Sequence, residues 1–98
     1  MRTTVTTRHC EIPDELKARA DTLVQKVAKA AHRPQSADVV FDTDHGNKVV
    51  EIQLKLTRGQ VRIATAEAED FRTALDRAVA KMRNQLDKNP GRPVRGPA

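Results

Sequence analysis

Aromatic residues are nearly missing from this chain. Phe41 and Phe71 are the only two in 98 residues, with no tryptophan and no tyrosine. That scarcity excludes a sheet that holds single-stranded RNA by stacking bases on surface aromatics. Cysteine occurs once, at Cys10, so no internal disulfide can form, and a reducing, cytoplasmic compartment is expected. No apolar run approaches the roughly 18 residues of a membrane-spanning helix, and the first residues lack the pattern of a signal peptide. A glycine-rich phosphate loop is also missing, since Gly46 and Gly59 fall in turn sequences.

Catalytic and metal-binding groups are equally sparse. His9 and Cys10 are adjacent, while His32 and His45 stand elsewhere without ligand spacing. A nucleophilic Cys10 needs a base, and His9 beside it in an extended strand points to the opposite face. Glu67, Glu69 and Asp70 are explained as surface charge and a helix cap. We therefore expect no enzyme activity, no metal, no cofactor and no small-molecule substrate.

Positive charge is what the chain does have. The net charge is +5, and it is unevenly spread along the sequence. Residues 1–13 carry +1, 14–33 carry +2, 34–69 carry −2, 70–88 carry +2, and 89–98 carry +2. The excess lies on the two helical segments and the ends, which favours a polyanion docking on helices rather than on a sheet.

The organising stretch runs from Ala64-Thr65-Ala66-Glu67-Ala68-Glu69-Asp70 into a helix ending near Lys88. Helical spacing puts Phe71, Ala74, Leu75, Ala78, Val79, Met82 and Leu86 on one apolar stripe. Arg77, Lys81, Asn84 and Lys88 form a separate row, roughly opposite. Asp70 suits the capping position, and Asn89-Pro90-Gly91 is a stop. Before it, Gln60-Val61-Arg62-Ile63 reads as a strand end with Val61 and Ile63 on one face.

The earlier chain supplies the rest of the frame. Arg2–Arg8, rich in β-branched residues, predicts a first strand. Pro13, Asp14 and Glu15 open a helix to about Ala31, with Leu16, Ala20, Leu23, Val24, Val27 and Ala31 inward. Arg19, Lys26, Lys29 and Arg33 share one flank of it. Pro34-Gln35-Ser36 is expected to be a connector, and Ala37–Thr43 a second strand closed by the turn Asp44-His45-Gly46-Asn47. Val50, Ile52, Leu54 and Leu56 alternate with polar residues in the clearest strand of all. Thr57–Gln60 turns the chain into the fourth strand.

The predicted fold is α+β, in the order β-α-β-β-β-α. It is a four-stranded, mainly antiparallel meander with both helices on one face. One domain is expected over 1–88, followed by a disordered Pro/Gly/Arg tail over 89–98. An RNA-recognition motif has a different order and needs the absent aromatics. The architecture is like that of a double-stranded-RNA-binding domain, but the last helix opens on Glu67, Glu69 and Asp70 instead of lysines.

Arg8-His9-Cys10-Glu11-Ile12 before a helix resembles the R-H-x-E-I opening of the hibernation-promoting factors, the ribosome-associated inhibitor A family. Ala66-Glu67-Ala68-Glu69-Asp70 resembles that family's approach to its second helix, and Ala74-Leu75-Asp76 its A-I-D. Lys81-Met82, Gln85-Leu86 and Lys88 are similar to its K-L-x-R-Q-L-x-K. The resemblance runs from Arg2 to about Lys88, with Arg72, Asn84 and Leu23 standing where relatives carry an aromatic, an arginine and a lysine.

The resemblance implies a protein that enters the small ribosomal subunit, lies along the groove used by messenger and transfer RNA, and blocks translation. Ribosomal RNA contacts are expected from Lys26, Lys29, Arg33, Arg77, Lys81, Arg83 and Lys88, of which Lys26, Lys81 and Lys88 fall on matching lysine positions. The partner is then the small subunit, with no membrane involved and the free protein a monomer. Long members carry a second, dimerising domain, and pairing of ribosomes through one is not expected here. The alternatives are a general RNA-binding module and a protein-interaction regulator on the same fold.

Overall fold

The alternating run from Val50 to Leu56 forms the centre of the sheet. It belongs to β3, Asn47–Leu56, whose Val50, Ile52, Leu54 and Leu56 are buried while Lys55 is exposed. The computed structural model describes residues 1–88, so the expected tail at 89–98 lies outside them. Around β3 stand β1 (Arg2–Thr7), α1 (Asp14–Ala28), β2 (Pro34–Asp44), β4 (Val61–Ala68) and α2 (Phe71–Lys88). A single 3-10 turn, Thr57–Gly59, joins β3 to β4.

The strands lie in the order β1-β2-β3-β4. β2, β3 and β4 are an antiparallel meander, but β1 pairs parallel to β2 because α1 carries the chain back before β2 begins. The sheet is thus mixed, with one parallel pair in an otherwise antiparallel α+β fold. At the β2–β3 turn His45 and Gly46 both hold positive φ, 51° and 84°. Two such residues in succession give the mirror-image turn whose twist matches a hairpin.

The core lies between one sheet face and the two helices. Val39, Phe41, Ile52, Leu54 and Ala64 meet Val24 and Val27 of α1 and Leu75, Met82 and Leu86 of α2. Phe41 and Phe71 pack edge to face at 5.7 Å between ring centroids. Truncating one of these large buried side chains to alanine costs about 2–5 kcal/mol.

Several sequence expectations need correction. Pro34–Ser36 is not a connector but the start of β2, with Pro34 opposite Leu56. Proline is tolerated there because the first residue of a strand can lack its N–H. β4 continues through Ala68; Val61 and Ile63 share one face as expected, but it is the outer one, 43% and 49% exposed, while Ala64 and Ala66 turn inward. α1 ends at Ala28, so Lys29 only caps it and Arg33, at φ 52°, lies outside the helix.

The row on α2 also differs from expectation. Arg77, Lys81 and Gln85 lie along the outer edge of β4 rather than opposite the core. Arg77 Nη1 donates to the Glu67 carbonyl at 2.9 Å, Lys81 Nζ to Thr65 at 2.8 Å, and Gln85 Nε2 to Ile63 at 2.7 Å. Four helical residues rise about 6 Å and two strand residues about 6.7 Å, so the two series keep step. An edge strand otherwise offers its carbonyls to any passing strand. Here α2 occupies three of them.

Asp70 caps α2 as expected. Its carboxylate accepts the Thr73 backbone N–H at 2.8 Å and the Thr73 hydroxyl at 2.9 Å. The Thr73 amide, then its hydroxyl, hold the Asp70 carboxyl below its ordinary value. Asp42 is likewise lowered, first by its hydrogen bond from His9 and then by the Thr43 amide.

Two outcomes follow from this geometry. The variant Arg77→Ala/Lys81→Ala/Gln85→Ala, which uncovers the β4 edge, will remain folded and self-associate with rising concentration in sedimentation velocity. Sedimentation identical to the parent's across the range would show that the ladder does not guard the edge. Asp70 and Asp42 have depressed folded pKa values, so their stabilisation is complete above the unfolded carboxylate value of about 3.9. It is lost as pH falls through the lower folded value. Asp70→Asn will therefore flatten the fall of Tm below about pH 4, and Asp70→Ala will lower Tm at neutral pH by on the order of 5 °C. A Tm profile for Asp70→Asn parallel to the parent's would remove Asp70 from the acid response.

Candidate nucleic-acid interface

The seven basic residues expected to contact RNA are all exposed, but they do not form one flank. The direction of the helices decides where they fall. Arg19 of α1 holds Asp76 of α2 through both guanidinium and carboxylate, with Nη2 at 3.0 Å from Oδ1 and 3.2 Å from Oδ2. Further along, Leu23 of α1 shares a groove with Val79, Ala80 and Arg83 of α2. The helices therefore run side by side in the same direction, and both finish at one end of the molecule.

Lys26 and Lys29 close α1 at that end, and Lys88 closes α2. Cations are favoured there because the last carbonyls of each helix carry partial negative charge. Arg33 follows in the link to β2, where the Thr57 hydroxyl donates to its carbonyl at 3.2 Å. Arg83 stands between the helices, near the same end. Arg77 and Lys81 lie apart from these five, along β4, with their donors already on backbone carbonyls. Arg19, which shares its sequence flank with Lys26, is neutralised by Asp76. Among the described residues, none of the seven is paired with a carboxylate.

The opposite end is acidic for the matching reason. Asp14 and Glu15 lie in the first turn of α1, and Asp70 caps α2. A shallow cavity there is lined by Glu67, Glu69, Asp70 and Arg77 among others. The His9 region is a structural latch on this end: His9 Nδ1 donates to Asp42 at 3.2 Å, Thr43 Oγ1 donates to the His9 carbonyl at 3.0 Å, and the Cys10 thiol donates to the Phe41 carbonyl at 3.4 Å. These bonds hold the link between β1 and α1 against the end of β2. Gln85 escaped the sequence reading because amide side chains carry no charge; its signal was the four-residue step from Arg77 through Lys81.

Chemically, such a surface offers long cationic side chains for phosphate oxygens, which give affinity and orientation without base reading. No group of three or more His, Cys, Asp or Glu side chains gathers as metal ligands among the described residues. No helix among them is long and apolar enough to cross a membrane.

Comparison with known proteins agrees with this architecture. A ribosomal subunit interface protein from Coxiella burnetii has a similar structure, with TM-score 0.74 and 22% identity, over 94% of this chain and 100% of that one. The N-terminal domain of Protein Y from Thermus thermophilus matches with TM-score 0.73 and 23% identity, over 87% of this chain and 93% of that one. The search of curated proteins gives no match. The model of the family described as sigma 54 modulation protein / S30EA ribosomal protein matches residues 3–92. The chain belongs to that family, the hibernation-promoting factors that its R-H-x-E-I opening resembles.

Proposed function

We propose that this protein binds the small ribosomal subunit as a monomer, in the groove used by messenger and transfer RNA, and blocks translation by occupying it. The observation that carries the reading is the convergence of Lys26, Lys29, Arg33 and Lys88 at one end of a fold whose family is ribosomal. Four exposed cations with no carboxylate partner among the described residues form a surface suited to phosphates. The similar Coxiella protein, named for the ribosomal subunit interface, supports the same partner. The action is steric, so no reaction is needed, and a ribosome-bound protein works in the cytoplasm.

Arg77 and Lys81 have a second task in this reading. Their donors reach β4 carbonyls, and their remaining charge lies along the flank of the groove-filling body. Replacing them therefore perturbs both the sheet edge and the electrostatics. Lys26, Lys29 and Lys88 test the contact surface without that complication.

Co-sedimentation with purified small subunits will show saturation near one copy per subunit, mutual exclusion with excess transfer RNA, and steep weakening with added salt. Lys26→Glu/Lys29→Glu/Lys88→Glu will stay folded and lose the association. Binding of the parent that any duplex RNA competes away equally would instead indicate a general RNA-binding module. Binding that salt does not weaken would point to an apolar protein partner.

A further inference from the structure

We infer that the RNA surface is the whole end of the molecule rather than the helix flanks, and that the β3–β4 turn with Arg58 at its tip is part of it. This inference rests on the RNA reading above and extends it from the helices to the sheet. To Lys26, Lys29, Arg33, Arg83 and Lys88 the sheet adds four cations at the same end: Arg2, Lys55, Arg58 and Arg62. Register places them. Arg2 is opposite Ser36 at the start of β2, Lys55 is opposite Val61 at the start of β4, and Arg62 is one residue further along. Against these nine cations the end holds two carboxylates, Asp87 and Asp38, the latter lining a shallow pocket with Arg2 and Lys55.

The turn is built into this surface by direct bonds. The Leu56 N–H donates to the Gln60 carbonyl at 2.7 Å, closing the turn. Thr57 Oγ1 donates to the Arg33 carbonyl at 3.2 Å, tying the turn to the link that follows α1. Arg33 and Arg58 are both held at positive φ, 52° and 66°. A non-glycine residue keeps that backbone only where its surroundings impose it. Two adjacent segments thus spend unfavourable backbone conformations on arginines, and both arginines are exposed.

The other end has the reverse character. Around the helix starts, the β2–β3 turn and the end of β4 lie eight carboxylates, from Glu11 to Asp70, against five cations, Arg8, Lys17, Lys48, Arg72 and Arg77. A body charged in this way approaches a polyanion end-on, its acidic end repelled and directed outward. The expected helix docking is widened in this proposal to a surface shared between helices and sheet.

The test compares two charge-matched triple variants with the parent, by small-subunit co-sedimentation over a range of salt. Lys55→Gln/Arg58→Asn/Arg62→Gln removes the sheet contribution; asparagine at position 58 accepts the positive φ. Lys17→Gln/Lys48→Gln/Arg72→Gln removes the same charge from the acidic end. The first variant will bind roughly tenfold more weakly or worse, with the slope of log K against log salt reduced by about two to three units. The second will lose far less. Circular dichroism confirms folding of both, and the single Arg58→Asn, in an exposed turn, repeats the comparison with a minimal change. If the parent binds and both triple variants weaken equally, or neither does, the end-on surface is wrong while the ribosome reading stands. If the parent itself does not bind, the ribosome reading fails and this inference falls with it.

Discussion

The burial of the apolar stripe of α2 against β3 and β4 places almost everything else on this molecule. Leu75, Met82 and Leu86 are fully buried with Ile52 and Leu54, and the small side chains of Ala64 and Ala66 face the same interior. That packing sets α2 antiparallel to β4 and brings its start near the end of β4. The Arg19–Asp76 pair and the Leu23–Val79 groove then align α1 with α2 in direction. Once both helices point the same way, their ends coincide, and so do the charges that favour helix ends. The candidate interface is a consequence of the core.

The same packing gives α2 a third function besides burial and charge. With its stripe on the sheet, one flank falls beside the outermost strand, and Arg77, Lys81 and Gln85 reach carbonyls that no strand occupies. Basic side chains along such an edge blunt strand addition, and two apolar residues on β4, Val61 and Ile63, are left exposed. The guarding ladder lets those residues remain outside. Two of its three members are also cations, so edge protection and the electrostatic field draw on the same residues. Loss of charge at either position has consequences for both.

Much of the fold was legible because its strongest patterns are local. The α2 stripe, the β3 alternation, the Asp44–Asn47 turn and the Asp70 cap each depend on a few residues and one periodicity, and each stands where expected. The facing of β4 was not: the alternation puts Val61 and Ile63 on one face without deciding which face meets the core, and that face is the outer one. A shift of one residue reverses every side chain of a strand, and here the close approach of α2 selects the alanines. The candidate site was half legible for a related reason. Helical periodicity found the cations of α1 and α2, but summing charge along 34–69 gave −2 and concealed Lys55, Arg58 and Arg62 among acids of which four, Asp42, Asp44, Glu67 and Glu69, fold to the opposite end.

That separation of charge is enforced by backbone electrostatics as much as by sequence. Each helix carries partial positive charge at its start and partial negative charge at its finish. Asp14, Glu15 and Asp70 answer the first, while Lys26, Lys29 and Lys88 answer the second. With two helices in the same direction, these local preferences add instead of cancelling, and the side chains outweigh the dipoles they neutralise. The outcome is a body whose ends differ in sign although its net charge is modest. In the docking proposed above, net charge draws such a body toward RNA and the separation also turns it, so that the end bearing Arg33 and Arg58 arrives first. A uniformly basic surface of the same total charge would be attracted equally in every orientation. The groove binding proposed above requires one orientation, and the parallel helices would supply it.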